Sequence, residues 1–176
     1  MNRLVFSSGA AVLLTTLAAT AAPSTWEQWR GPNRDGKISV DFPAWPKDFA
    51  KAKQAWRVEI AEGYSSPVVT EDRVFTVETH EEKDEIVRAF DRATGKKVWE
   101  HVVVAKSTSG LLSTEGNLVF GGTKKGSFFA LDATTGQELW RFDTGGWVHA
   151  APITYEAEGE QAVTIATGSA LFTFGL

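Results

Sequence analysis

The chain has 176 residues, a formal net charge of −4, 43% apolar residues, seven Trp and no cysteine. That length suits one ordinary domain, and the apolar and aromatic content excludes a disordered chain. Mild acidity without a basic tract argues against a nucleic-acid partner, and the missing cysteine removes disulfides, thiolate metal sites and thiol catalysis.

Residues 1–21 read as a secretory leader. Asn2 and Arg3 open it, Leu4–Leu17 is mostly apolar and small, and Ala19-Thr20-Ala21 fits an A-x-A cleavage site. The apolar run holds four Ser/Thr and is shorter than the ~20 residues a bilayer span needs. The expectation is a mature chain without a transmembrane span, periplasmic or secreted after cleavage near Ala21. Residues 22–53 follow as a lead-in segment, with Trp26, Trp29 and Trp45 around the turn Gly31-Pro32-Asn33-Arg34-Asp35-Gly36. Such a segment is expected to wrap a surface and bury its indoles there.

From residue 54 onward the pattern predicts short strands separated by polar turns. The expected strands are Gln54–Ile60, Ser65–Val69, Arg73–Glu78, Glu85–Phe90 and Lys96–Val104, then Leu111–Ser113, Asn117–Gly121, Ser127–Leu131 and Gln137–Phe142. Ala150–Tyr155, Gln161–Thr167 and Ala170–Phe174 complete the series. Alternation such as Ile86/Arg88/Phe90 against Val87/Ala89 is the period-2 mark of a strand. Glu81, Glu82, Asp84 and Glu85 are expected at a solvated hairpin tip.

One phrase occurs twice. Ala89-Phe-Asp-Arg-Ala-Thr-Gly-Lys-Lys-Val-Trp99 and Ala130-Leu-Asp-Ala-Thr-Thr-Gly-Gln-Glu-Leu-Trp140 share A-x-D-x-x-T-G-x-x-x-W at a period of 41, and Trp56 stands 43 residues before Trp99. Repeats of this length are stacked supersecondary units. The carboxylates of Asp91 and Asp132 can accept backbone N–H groups two or three residues on. Gly95 and Gly136 supply the positive φ of a bulged hairpin. Trp99 and Trp140, on the outgoing strand, have the area to lock one unit against its neighbour. The fold class is therefore all-β: a partial β-propeller of about three four-stranded blades over residues 54–176.

At these residues the chain resembles the eight-bladed propellers of the quinoprotein family, the dehydrogenases that bind pyrroloquinoline quinone (PQQ), and their non-catalytic relatives. The repeated phrase resembles that family's tryptophan-docking motif. Residues 88–176 are similar to the late blades of PQQ-dependent alcohol dehydrogenases, through Gly110–Thr123, Gly145–Tyr155 and the ending Gly168–Leu176. Trp26–Gly36 and Gly63–Val69 resemble the start of secreted PQQ-like repeat proteins.

What the resemblance implies divides. The dehydrogenases' pocket has a vicinal Cys pair, a Ca²⁺ held by carboxylate and amide oxygens, an Asp base and a Trp platform. PQQ with Ca²⁺ is thus the implied cofactor, and Gly168, in the loop corresponding to one that lines that pocket, is the candidate contact. Yet the chain has no Cys, and no acidic cluster offers the six or so oxygens a hard cation takes. His80, His101 and His149 are spaced by 21 and 48, which fits no zinc motif. No Ser/His/Asp set and no phosphate loop follows from spacing, so no catalytic residue and no metal ligand is assigned.

Propellers have four to eight blades, and the residues after the leader allow fewer than four units of this period. The third unit lacks its D-x-x-T-G-x-x-x-W strand, while the stretch around Trp56 looks like an outer strand without a blade. Three explanations stand: a partial or internally deleted relative of a full propeller, self-association of chains to complete a ring, or a small stack capped by the lead-in. The functional expectation is an exported, non-catalytic or truncated PQQ-like propeller-repeat protein. A partial PQQ-dependent alcohol or sugar dehydrogenase and an outer-membrane assembly scaffold are the alternatives.

Overall fold

The computed structural model describes Trp26, Gly31 and residues 48–175, apart from Tyr64, Glu82 and 106–108. The leader, most of the lead-in and its other tryptophans lie outside the described residues.

Three antiparallel sheets follow one another along the chain. The first holds β1 (Val68–Val69), β2 (Arg73–His80), β3 (Asp84–Asp91) and β4 (Lys97–Val103), and the second holds β5 (Leu112–Thr114), β6 (Leu118–Gly122), β7 (Ser127–Asp132) and β8 (Glu138–Asp143). The third has β9 (Ile153–Ala157), β10 (Glu160–Thr167) and β11 (Ala170–Gly175). Each strand pairs with its sequence neighbour, as short polar turns dictate. The fold is all-β, and the sheets are three consecutive propeller blades.

The core consists of two layers between blades, because each strand sends alternate side chains to opposite faces. Phe75, Val87, Trp99, Val119, Phe129 and Leu131 fill the layer between blades 1 and 2. Leu112, Phe120, Phe128, Ala130, Val163 and Ile165 fill the layer between blades 2 and 3. Adjacent residues of β7 thus serve different layers: Phe128 and Ala130 face blade 3, Phe129 and Leu131 face blade 1.

The two repeated turns join these layers. Asp91 Oδ1 accepts the Thr94 N–H at 2.8 Å and the Thr94 hydroxyl at 2.7 Å. Asp132 Oδ1 accepts the N–H groups of Thr134 at 2.9 Å and Thr135 at 2.7 Å, and the Thr135 hydroxyl at 3.0 Å. Each turn closes on a glycine with φ of 72° (Gly95) or 74° (Gly136). An indole from the preceding unit lies flat on that glycine. A Cβ at Gly95 would come within 2.8 Å of the Trp56 ring, and one at Gly136 within 2.6 Å of the Trp99 ring. Trp56 Nε1 donates to the Arg92 carbonyl and Trp99 Nε1 to the Ala133 carbonyl, both at 2.9 Å. Trp140 differs. It stands edge-on to Phe174, with centroids 5.0 Å apart, and remains 37% exposed.

Four expectations differ from the structure. Gln54–Ile60 forms no strand, because a strand needs a partner and none pairs with it among the described residues. Ser65–Val69 shortens to Val68–Val69, whose edge pairs with Trp26 through two N–H···O bonds of 2.6 Å. β9 starts at Ile153 instead of Ala150, since Pro152 has no N–H to donate and Val148 bridges Thr167 instead. Glu85 is not at a solvated tip: it is buried on β3, within 3.4 Å of the Thr79 hydroxyl.

Replacing Trp99 by Ala removes a buried indole and its hydrogen bond together. The expected loss is about 3–5 kcal/mol in urea unfolding, with Trp140→Ala costing less than half of that. The turn hydrogen bonds, led by the Thr94 hydroxyl at Asp91 and the Thr135 N–H at Asp132, hold both carboxyls below the ordinary 3.8. A depressed folded value means that their contribution is complete above about pH 4 and is lost as pH falls through the folded values. Urea midpoints measured from pH 5 to pH 2 should therefore drop, and less steeply in the Asp91→Asn/Asp132→Asn double variant.

Candidate functional site

Antiparallel strands send successive turns to opposite ends. The docking turns, with the β1–β2, β5–β6 and β9–β10 connections, occupy one end. There Arg92 Nη1 donates to the carbonyls of Thr70 and Glu71 at 3.3 Å, and Thr134 Oγ1 bonds Asn117 Oδ1 at 3.1 Å. A cleft of about 340 Å³ lies at this end, lined by Glu71, Asp72, Arg73, Glu115, Asn117 and Thr134 among others. Four of the six predicted docking residues, Asp91, Gly95, Asp132 and Gly136, lie here. Trp99 reaches it from β4, and Trp140 on β8 has no docking turn beneath it among the described residues.

The other end holds the β6–β7 turn, the long β8–β9 loop and the β10–β11 turn, and here the structure places Gly168. Threonine hydroxyls hold the three connections together. Thr144 Oγ1 bonds the Gly126 carbonyl at 2.8 Å, the Gly146 carbonyl at 3.0 Å and the Thr167 hydroxyl at 2.8 Å. Thr167 Oγ1, buried, donates to the Gly146 carbonyl at 2.9 Å. Gly168 N–H donates to the Trp147 carbonyl at 2.9 Å, and Val148 N–H donates to Thr123 at 3.1 Å. Gly168 itself has φ 52°. The loop is thereby fixed from both sides, and it presents Trp147, 63% exposed, with the His149 ring 5.7 Å away.

Thr144 and Thr167 were not singled out by sequence reasoning, because a threonine at a strand end belongs to no motif. Both are followed directly by glycine, the one signal that marks them. The other histidines lie apart: His80 ends β2, and His101 on β4 sits 3.5 Å from Glu138 of β8. Hydrogen bonding from Arg141 holds the Glu138 carboxyl below its ordinary value, so this group works as a link between blades 1 and 2.

The residues present do not fit a PQQ–Ca²⁺ centre. Among the described residues no three His, Asp or Glu side chains gather where they could hold a metal, and the chain has no Cys. Around Gly168 the groups are threonine hydroxyls and backbone carbonyls already bonded to one another. What this end offers is an exposed indole–imidazole pair on a rigid loop, a surface for contact.

Comparison with known proteins places these observations. A family model described as outer membrane protein assembly factor BamB matches residues 83–171. Quinoprotein alcohol dehydrogenase PedE of Pseudomonas putida is 50% identical over 91 residues, which are 51% of this chain and 14% of that protein. A quinoprotein ethanol dehydrogenase of Pseudomonas aeruginosa is 47% identical over 91 residues, 51% of this chain and 15% of its own. The crystal structure of BamB from Moraxella catarrhalis superposes with a TM-score of 0.56 at 20% identity, over 68% of this chain and 36% of that one, a likeness of fold. The chain thus spans only 14–15% of the length of these dehydrogenases. No helix among the described residues is long and apolar enough to cross a membrane.

Thr167→Val keeps the volume and removes the hydroxyl that links Thr144 to Gly146. Hydrogen-exchange mass spectrometry should show residues 145–149 exchanging about tenfold faster, the equivalent of one lost buried hydrogen bond, with the strands of blade 1 unchanged.

Proposed function

This chain belongs to the PQQ-repeat β-propeller family that the BamB model describes, and from that premise we propose that it is an exported, non-catalytic scaffold, a truncated relative of quinoprotein dehydrogenases. The observation that carries the proposal is how the family's most specific residues are used. Asp91 and Asp132 each commit Oδ1 to donors of their own turn, Asp132 Oδ2 accepts the Asn117 amide, Gly95 and Gly136 lie under indoles, and Trp56 and Trp99 hold blades together. Each does structural work.

Two further features support this reading. The vicinal Cys pair of the resembled dehydrogenases has no counterpart in a chain without cysteine. The loop at Gly168 spends its polar groups on itself and turns outward an indole and an imidazole, which suit a protein surface better than a proton-transfer step. The leader pattern at residues 1–21 supports delivery to the cell envelope.

The competing reading is a partial PQQ-dependent dehydrogenase, favoured by the 50% identity to PedE over 91 residues. One assay separates the two. The purified chain is incubated with PQQ, Ca²⁺ and a primary alcohol, and reduction of an artificial electron-accepting dye is followed, with tryptophan fluorescence recording PQQ binding. The scaffold reading expects a dye-reduction rate equal to the protein-free control. Turnover that requires PQQ and the alcohol would overturn it.

A further inference from the structure

We propose that the surface around Trp147 docks an acidic segment of a partner protein, the indole taking an apolar side chain and Lys124 and Lys125 the flanking carboxylates. The inference deepens the scaffold reading above and rests on it.

Local chain geometry makes Trp147 and His149 neighbours. Val148, between them, forms an antiparallel bridge with Thr167 and is fully buried. It packs on Gly122, which has no room for a Cβ. In extended chain the residues on either side of such an anchor point the opposite way, so both rings share the outward face. Both residues are exposed, and the ring centroids stand 5.7 Å apart.

The pair is fixed before any partner arrives. Bonds from Thr144, Val148, Thr167 and Gly168 hold the backbone on both sides of it. Binding there avoids most of the ordering cost that a loose loop would meet. Trp147 is 63% exposed, and the adjoining Gly145, Gly146 and Gly168 have no side chains to cover it. A rigid, accessible tryptophan is the residue type that most often anchors a protein interface.

Charge beside the pair decides the sign of the partner. Gly126 N–H donates to the Thr123 carbonyl at 3.0 Å, which closes a turn with Lys124 and Lys125 at its tip. Both ends of that turn are bonded to the Trp147 loop. The Thr123 carbonyl also accepts the Val148 N–H at 3.1 Å, and the Gly126 carbonyl accepts the Thr144 N–H at 2.8 Å. Neither lysine is ion-paired among the described residues. Across residues 122–127, 143–152 and 167–170 the only carboxylate is Asp143. It lies against Gly126, and its Oδ1 accepts the Gly145 N–H at 3.0 Å. The whole chain carries −4, so this corner reverses the prevailing charge. Two ammonium groups beside an aromatic pair favour carboxylates flanking an apolar side chain and disfavour a basic partner.

The test selects a random-peptide phage library on the immobilised chain. Peptides with Asp and Glu around an aromatic or aliphatic residue are expected. A synthetic copy of the leading peptide, followed by fluorescence anisotropy, should bind Trp147→Ala about tenfold more weakly. Lys124→Glu/Lys125→Glu should weaken binding about tenfold at low salt, with the difference shrinking as salt rises. Circular dichroism shows whether each variant keeps its strands. The two variants share no residue, so misfolding of one leaves the other decisive. Selection of no peptide overturns the proposal, as does a basic or uncharged consensus, or unchanged binding by the folded variants. Sedimentation with phosphatidylglycerol vesicles that Trp147→Ala abolishes, without peptide binding, overturns it in favour of a lipid surface. The measurement contains no PQQ and no alcohol. Dye reduction would therefore sink the scaffold reading with peptide binding intact, while a chain that binds no peptide and reduces no dye would sink this inference alone.

Discussion

The architecture depends on one contact: an indole laid flat on a glycine of the next unit's turn, with its N–H on a carbonyl of that turn. Each part requires the others. The carboxylate of Asp91 or Asp132 shapes the turn, the turn puts Gly95 or Gly136 at a positive φ, and the missing Cβ leaves room for the ring. A blade cannot bury its faces alone, so this contact decides where the neighbouring blade sits and therefore which side chains form the shared layer. Phe75 and Phe129, from different blades, meet in one layer because Trp99 spans the boundary between them.

The same contact explains the division between the ends of the blades. At one end the docking turns bond their own Asp carboxylates and Thr hydroxyls. At the opposite end no motif recurs, and the connections differ in length and content. There a threonine clamp, Thr144 with Thr167, substitutes for repetition and holds Trp147 and His149 outward.

Much of the strand order was legible, because hydrophobic alternation and Gly/Asp turns are local properties. Nine of the eleven strands have bounds within two residues of the expected ones; β1 and β9 depart further. The failures were non-local. Gln54–Ile60 has strand alternation without a partner among the described residues, and in Ser65-Ser66-Pro67 the proline has no N–H to give a ladder. Glu85 is an acidic residue that composition assigns to water, yet its neighbours bury it. At the candidate site, Gly168 was found through resemblance, whereas Thr144 and Thr167 escaped notice because hydroxyls 23 residues apart leave no spacing to detect.

By itself the sequence determined the all-β class, the repeat period and the chemistry of each docking turn, because these are written in residues that lie within a few positions of one another. Only the tertiary structure decided which indole rests on which glycine, that Trp140 has no turn beneath it among the described residues, and that the strand-like stretch around Trp56 stays unpaired among them. Those facts depend on how the blades meet, and blades meet through contacts between residues dozens of positions apart, whose pairing no local pattern records.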